Sequence, residues 1–267
     1  MSRNASRTKT PPTTPEQPLT YSPPTTFVAL PSEGKFYPPD HPLHGKATVE
    51  VKQMTTREEE ILTSPTLLKQ GLIVDRLIES VLTNSEIDPS SLLIGDKNAM
   101  LVALRIDAYG EEYDITVPCP ICGTPNEKQI NLSELKHKVV DAEVETTDRG
   151  TFVVALPRSG ASVELRLLTG DDEQKIAETN KKTKKYGLER PIATQYSHMV
   201  ASVNGDDDQS QISNFVSSLP AFDSRIIRNA YKKINPDVDM NFDFQCDVCS
   251  HEQGMEVPIT AKFFWSE

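Results

Sequence analysis

No apolar run in this chain approaches the roughly 18 residues needed to span a bilayer. The longest, such as Phe152 to Leu156, are strand-sized, so no membrane role is expected. An apolar h-region is missing as well: the basic start MSRNASRTKT runs into PPTTPEQPLTYSPPTT, and export is not expected. Basic side chains are in deficit, 28 against 39 acidic, and the resulting net charge of −11 repels a phosphate backbone. Nucleic acid is therefore not an expected partner. Catalytic fingerprints are absent too: there is no G-x-S-x-G, P-loop, G-x-G-x-x-G or H-E-x-x-H, and the five histidines are scattered at 41, 44, 137, 198 and 251. Cysteine is confined to four residues in two C-x-x-C pairs, which fits a reducing compartment and a metal better than a disulfide framework. Folding in a cytoplasm follows.

Hydrophobic residues make up 37 % of the chain, below the about 45–50 % typical of globular proteins, so some stretch is not buried. Ten of the 20 prolines fall within the first 42 residues, among dense Ser and Thr, and residues 1–25 read as a disordered tail. An arm and helical layer is expected over 26–110. It holds a short strand at Ala47–Val51 and a capping box at Thr55 or Thr56 ahead of the acidic run Glu58-Glu59-Glu60. A helix over 65–83 carries its apolar face on Leu67, Leu68, Leu72, Ile73, Leu77, Ile78 and Val81, with Gly71 as a soft spot. A second helix runs from about Asp96 to Ala108 and stops at Gly110. The acidic triplets at 58–60 and 206–208 read as solvated charges, and His41 and His44 as surface residues of a Pro-rich loop.

Strand-like alternation flanks each cysteine pair: Tyr113, Ile115 and Val117 before the first and Ile130 and Leu132 after it; Phe242 and Phe244 before the second and Met255, Val257 and Ile259 after it. This weak internal repeat makes residues 111–135 together with 240–267 one zinc-ribbon-like β unit. Between the knuckles, 136–239 reads as a β-then-α insert. A hairpin turns at Ser159-Gly160, a helix opens at Thr169-Gly170 and ends in the basic run 181–185, and further helices follow at about 190–203, 209–218 and 222–234. The basic run reads as a solvated helix face, a partner-docking patch being the other reading. The fold class is thus α+β.

Zinc in a structural site takes four ligands at tetrahedral corners, and a C-x-x-C turn supplies one edge of that tetrahedron. Two such turns complete it, which makes Cys119, Cys122, Cys246 and Cys249 the candidate ligands of one structural zinc. Gly123, directly after the first pair, relieves the tight turn; Ser250 stands at the matching position of the second and fits less comfortably. His251 reads as a surface histidine, since four cysteines already fill the shell. A thioredoxin-like redox pair needs a helix N-terminus after its first cysteine, and neither pair has one. At the other extreme of the chain, AKFFWSE clusters Phe263, Phe264 and Trp265, which either fold back on the core or anchor in a partner; folding back is the expectation.

Several blocks carry a resemblance: LPSEGKFYP at 30–38, TTREEEILTSPTLLKQG at 55–71, the run from Leu92 to Gly123, and LPAFDSRIIRNAYKKINPDVD followed by CDVCS and FFW. In their order and character they resemble the T4-type bacteriophage baseplate hub subunit family, also described as baseplate central spike complex proteins. The resemblance implies a non-enzymatic structural or assembly role in the tail baseplate of the virion, assembled in the host cytoplasm, with other hub, spike or tape-measure proteins as partners and with homo-oligomerisation open. A tail assembly chaperone absent from the finished particle is the runner-up, and a nucleic-acid-binding zinc ribbon, disfavoured by charge, the third reading.

Overall fold

Two short strands begin the ordered architecture, β1 (Thr25–Ala29) and β2 (Thr48–Lys52), paired antiparallel from Thr25↔Lys52 to Ala29↔Thr48. The computed structural model describes residues 22–138, 140, 146–147, 149–257 and 261–264; most of the expected tail, residues 1–21, lies outside them. Helices α1 (Thr56–Leu62), α2 (Pro65–Gln70), α3 (Ile73–Val81) and α4 (Ile94–Tyr109) follow. The expected single helix over 65–83 is two helices. Gly71 adopts φ 74°, a left-handed cap that ends α2 and that an L side chain would resist.

The capping box is real and uses Thr55, but Glu58 is not a solvated charge. Its carboxylate accepts the Thr55 amide at 2.8 Å and the Thr55 hydroxyl at 2.6 Å, takes a further bond from the Ser80 hydroxyl, and is buried. That arrangement satisfies a free amide at the helix start and ties α1 to α3.

Helix α4 is the spine. Gly95, Asp96, Lys97, Ala99, Met100, Leu101, Val102, Leu104 and Arg105 are all buried, so it is enclosed on nearly every side. Its first turn holds the loop between β1 and β2: the Asp96 carboxylate accepts the Ser32 amide (3.0 Å), the Ser32 hydroxyl (2.6 Å) and the Tyr37 hydroxyl (2.8 Å). Three donors offset the cost of burying that charge, although burial still pushes the carboxyl pKa up. In the same loop Gly34 has no room for a Cβ, which would meet Leu43 and Lys46 backbone atoms at 2.4 Å. His41 is half-buried, stacked on Tyr37 with ring centroids 4.3 Å apart, and its Nε2 lies 2.9 Å from Ser91 Oγ; it is a fastener of this loop and not the surface residue expected.

Beyond α4 come the first hairpin, β3 (Glu112–Pro118) and β4 (Pro125–Asn131), and a two-residue strand β5 (His137–Lys138). Strands β6 (Phe152–Ala155) and β7 (Ser162–Leu165), helices α5 (Gly170–Lys185) and α6 (Pro191–Met199), strand β8 (Val200–Val203), and helices α7 (Gln209–Ser217) and α8 (Ala221–Ile234) build the middle of the chain. The expected helix over 190–203 is split. Its last four residues leave α6 and pair with β7, giving a three-stranded antiparallel sheet in the order β6-β7-β8. β9 (Asp237–Val238), β10 (Asn241–Gln245) and β11 (Glu252–Glu256) close the described fold.

Mixed helices and small sheets make the class α+β. Two features bring the later part of the chain back onto α4. Gly95 lets the Pro236–Asp237 backbone lie where a Cβ would clash at 1.9 Å, and β9 then pairs with β5. The fully buried Arg105 donates to the carbonyls of Phe263 (3.1 Å), Gly110 (3.1 Å) and Glu112 (3.3 Å). Phe263 and Phe264 are accordingly buried, with Phe263 edge-on to Tyr113 at 5.0 Å, so this part of the aromatic terminus folds back as expected; Trp265 lies outside the described residues.

Candidate metal centre

Each C-x-x-C pair sits at the tip of a two-stranded hairpin. Pro118↔Pro125 closes the turn 119–124, and Gln245↔Glu252 closes the turn 246–251. The two turns share one hydrogen-bond scheme. The Cys119 amide donates to the Thr124 carbonyl and the Gly123 amide to the Cys119 carbonyl, both at 2.9 Å; the Cys246 amide donates to the His251 carbonyl at 2.9 Å and the Ser250 amide to the Cys246 carbonyl at 3.0 Å. Gly123 and Ser250 occupy the same place with φ 71° and 56°. The expectation that Gly123 relieves this turn and that Ser250 fills it less comfortably corresponds to these angles.

The four sulfur atoms lie within 4.8 Å of one another, and among the described residues theirs is the one such His, Cys, Asp and Glu cluster. Cys119 Sγ is 3.6 Å from Cys249 Sγ, and Cys122 Sγ is 3.6 Å from Cys246 Sγ. A disulfide would require about 2.05 Å. A tetrahedron with metal–sulfur arms of about 2.3 Å has edges of about 3.8 Å, close to these contacts. The cluster can therefore hold a metal ion. Cys119 and Cys246 are buried while Cys122 and Cys249 reach the surface, so one thiol of each turn anchors the group and the other closes it.

The local field is uneven. The Cys249 and Val248 amides aimed at Cys246 push its thiol pKa down to about 6. A hydrogen bond with Thr124 lowers that of Cys122. Cys249 is the exception: the His251 amide acts to lower it, but desolvation and hydrogen bonding with the Cys246, Cys119 and Cys122 thiols outweigh that and push it up to about 12. Thiolates gathered this closely repel one another, and a bound dication would remove that conflict.

Sequence reading missed the support around the sulfurs. Buried Asn126, on β4, donates to the Thr124 carbonyl at 2.7 Å and accepts the Asp247 amide at 2.8 Å, binding one knuckle to the other. Lys128 Nζ pairs with Asp247 Oδ1 at 2.6 Å and stands 5.9 Å from the Phe244 ring centre. Asn126 lies four residues after Cys122, and only the alternation of β4, which turns it inward, hints at its role. The His251 side chain meets Gln253 at 3.2 Å and is outside the sulfur cluster.

No helix among the described residues is long and apolar enough to cross a membrane. A family model described as T4 bacteriophage base plate protein matches residues 23–265. No curated protein and no solved structure matches the chain.

Proposed function

The chain belongs to the T4 bacteriophage base plate protein family, and from that membership we propose that it is a structural or assembly subunit of the baseplate hub whose fold is closed by one zinc ion on Cys119, Cys122, Cys246 and Cys249. The observation that carries the zinc is the pair of 3.6 Å sulfur contacts between turns that 123 intervening residues (123 to 245) separate in sequence. Four thiolates suit zinc, and a site whose four positions are all taken by protein, leaving none for water, suits a structural ion. In this reading 111–135 with 240–267 is one zinc-ribbon-like unit, 136–239 is its insert, and the metal closes that insert as a loop.

Zinc supplies binding energy that becomes folding energy, and no turnover is required of it. What the chain contributes is position: Asn126 fixes the turns against each other, and Arg105 holds the base of the first hairpin to the returning chain. Contact with other hub, spike or tape-measure proteins in the virion follows from the baseplate reading, and the net charge of −11 argues against nucleic acid.

Two measurements test the proposal. Elemental analysis of chelator-washed protein should return about one zinc per chain. A value near zero in folded protein removes the metal. Mass spectrometry of purified tails should find the chain in a fixed ratio to the other hub proteins; its absence there, with presence in assembling cells, would make it the chaperone instead.

A further inference from the structure

Four of the nine large hydrophobic side chains exposed among the described residues, Tyr186, Leu188, Ile192 and Phe222, lie within three residues of Glu189 or Ala221 in sequence. A cleft of about 590 Å³ between α6, α7 and α8 is lined by Glu189, Arg190, Ile192, Tyr196, Val216 and Leu219 among others. Tyr186 and Leu188, 74 % and 61 % exposed, stand on the turn that leads from α5 into that lining. They are not there by fraying. The Gly187 amide donates to the Lys184 carbonyl and the Leu188 amide to the Thr183 carbonyl, with Gly187 at φ 68°, a helix stop that fixes the turn. In such a stop the residue at the place of Leu188 ordinarily packs back on the helix. Here the facing residue is Thr183, and Leu188 points outward.

Basic side chains outnumber acidic ones beside the same cleft: Arg190 and Glu189 line it, and Lys184 and Lys185 end the helix that leads into it. Lys184, Lys185 and Arg190 have no carboxylate partner among the described residues. Arg158 and Arg225 place their guanidinium groups 5.5 and 5.0 Å from the Phe222 ring centre. The dipole of α5 accounts for lysines in its last turn. It accounts for neither Arg190 nor the arginines on Phe222. On a chain of net charge −11 this is a cationic, apolar island, and exposed apolar clusters with arginine and tyrosine mark protein contacts.

We infer that the cleft between α6, α7 and α8 is a docking site for an acidic segment of a neighbouring baseplate protein, which inserts one bulky apolar side chain while its carboxylates meet Lys184, Lys185 and Arg190. The inference rests on the hub reading given above. A polypeptide is favoured over nucleic acid because the cleft walls are largely apolar, Glu189 also lines the cleft, and the rest of the chain is acidic.

The test uses whole tails. The triple variant Lys184→Glu, Lys185→Glu, Arg190→Glu should stay folded and melt within a few degrees of wild type, since all three side chains are exposed and only the favourable lysine–dipole contacts at the end of α5 are lost, yet enter tails about tenfold less, an interfacial loss of about 1.4 kcal/mol. In parallel, a photo-crosslinking residue in place of Leu188, in otherwise wild-type protein, should join in assembled tails to a net-acidic segment of a different protein. Equal incorporation of the triple variant overturns the inference. So does a crosslink to a second copy of this chain, to nucleic acid or to a neutral or basic segment, and so does the lack of any crosslink. Wild-type chain absent from tails instead defeats the hub reading, and the inference falls with it.

Discussion

The two cysteine turns are the same device built on unequal foundations. The first hairpin runs seven residues a side, and Tyr113, Ile115, Val117 and Ile130 alternate into the core. The second runs five residues a side; only Phe244 among them is buried, and β11 has no buried residue at all. Its turn also carries Ser250 in the left-handed region where the first has Gly123. Identical hydrogen bonds thus rest on a packed base in one case and a thin, slightly strained one in the other. A shared metal lets the strong hairpin hold the weak one, which is the physical use of recruiting two ligands from each.

The largest effect that could break this comparison comes from the ligands themselves. Cys119→Ser and Cys246→Ser should each abolish zinc binding and cost more than ~3 kcal/mol of folding stability, because structural zinc binding is largely folding energy. Thermal denaturation with and without chelator decides it: chelator should destabilise wild type strongly and leave both variants unmoved. In chelated wild type the β10–β11 amides should exchange hydrogen faster than those of β3–β4. Equal exchange would mean the hairpins stand equally well alone. A smaller loss is expected from Asn126→Ala, which strands the Asp247 amide and the Thr124 carbonyl near a buried position, at about 1–3 kcal/mol. That loss should persist in chelated protein if Asn126 joins the turns independently of the ion; denaturant titration of both forms would show it.

Local chemistry is what the sequence displays best. The C-x-x-C turns, the glycine after the first, the Thr55 capping box and the hairpin at Gly160 all follow from residues a few positions apart. Bringing four cysteines together across the insert required matching the alternation on either side of each pair, since spacing alone said nothing. The long-range polar ties were not legible: Asp96 meets Ser32 and Tyr37 from about sixty positions away, and Glu58 reaches Ser80 only once α1 packs on α3. Val200 to Val203 read as helix because their apolar spacing continues that of α6; pairing with β7 overrides it. The run at 181–185 read chiefly as solvated because nothing in it announces the cleft formed by α6 to α8.

Acid offers a control that lies outside both knuckles. Asp172 is buried at the start of α5; desolvation opposes its charge, but bonds from Arg166 (2.8 and 2.5 Å) and from Thr169 outweigh that and bring its pKa to about 2 from an ordinary 3.8. A depressed carboxylate pKa stabilises the fold above the unfolded value and loses that contribution as pH falls from about 4 towards 2. The loss is at most roughly 2.5 kcal/mol. Asp172→Asn should remove this part of the acid dependence, and it should do so equally in zinc-loaded and chelated protein, as followed by denaturant titration at stepped pH. Dependence on the metal would show that the insert feels the clamp at α5.

The smallest effect bears most directly on the inequality of the turns. A Cβ added at Gly123 would meet nothing within 4 Å, so Gly123→Ser changes only the backbone preference at φ 71°. A non-glycine residue in that region costs about 1 kcal/mol. Ser250→Gly is the reverse case, relieving φ 56° at a residue whose side chain makes no hydrogen bond among the described residues. Part of that gain is offset, because glycine also gives the unfolded chain more freedom. The expected result is asymmetric: Gly123→Ser destabilises by about 1 kcal/mol, and Ser250→Gly stabilises by about half as much. Denaturant unfolding of the zinc-loaded proteins reads both. If Ser250→Gly instead destabilises while Gly123→Ser is neutral, the second turn owes its shape to the serine and not in spite of it, and the first hairpin is no longer the stronger foundation.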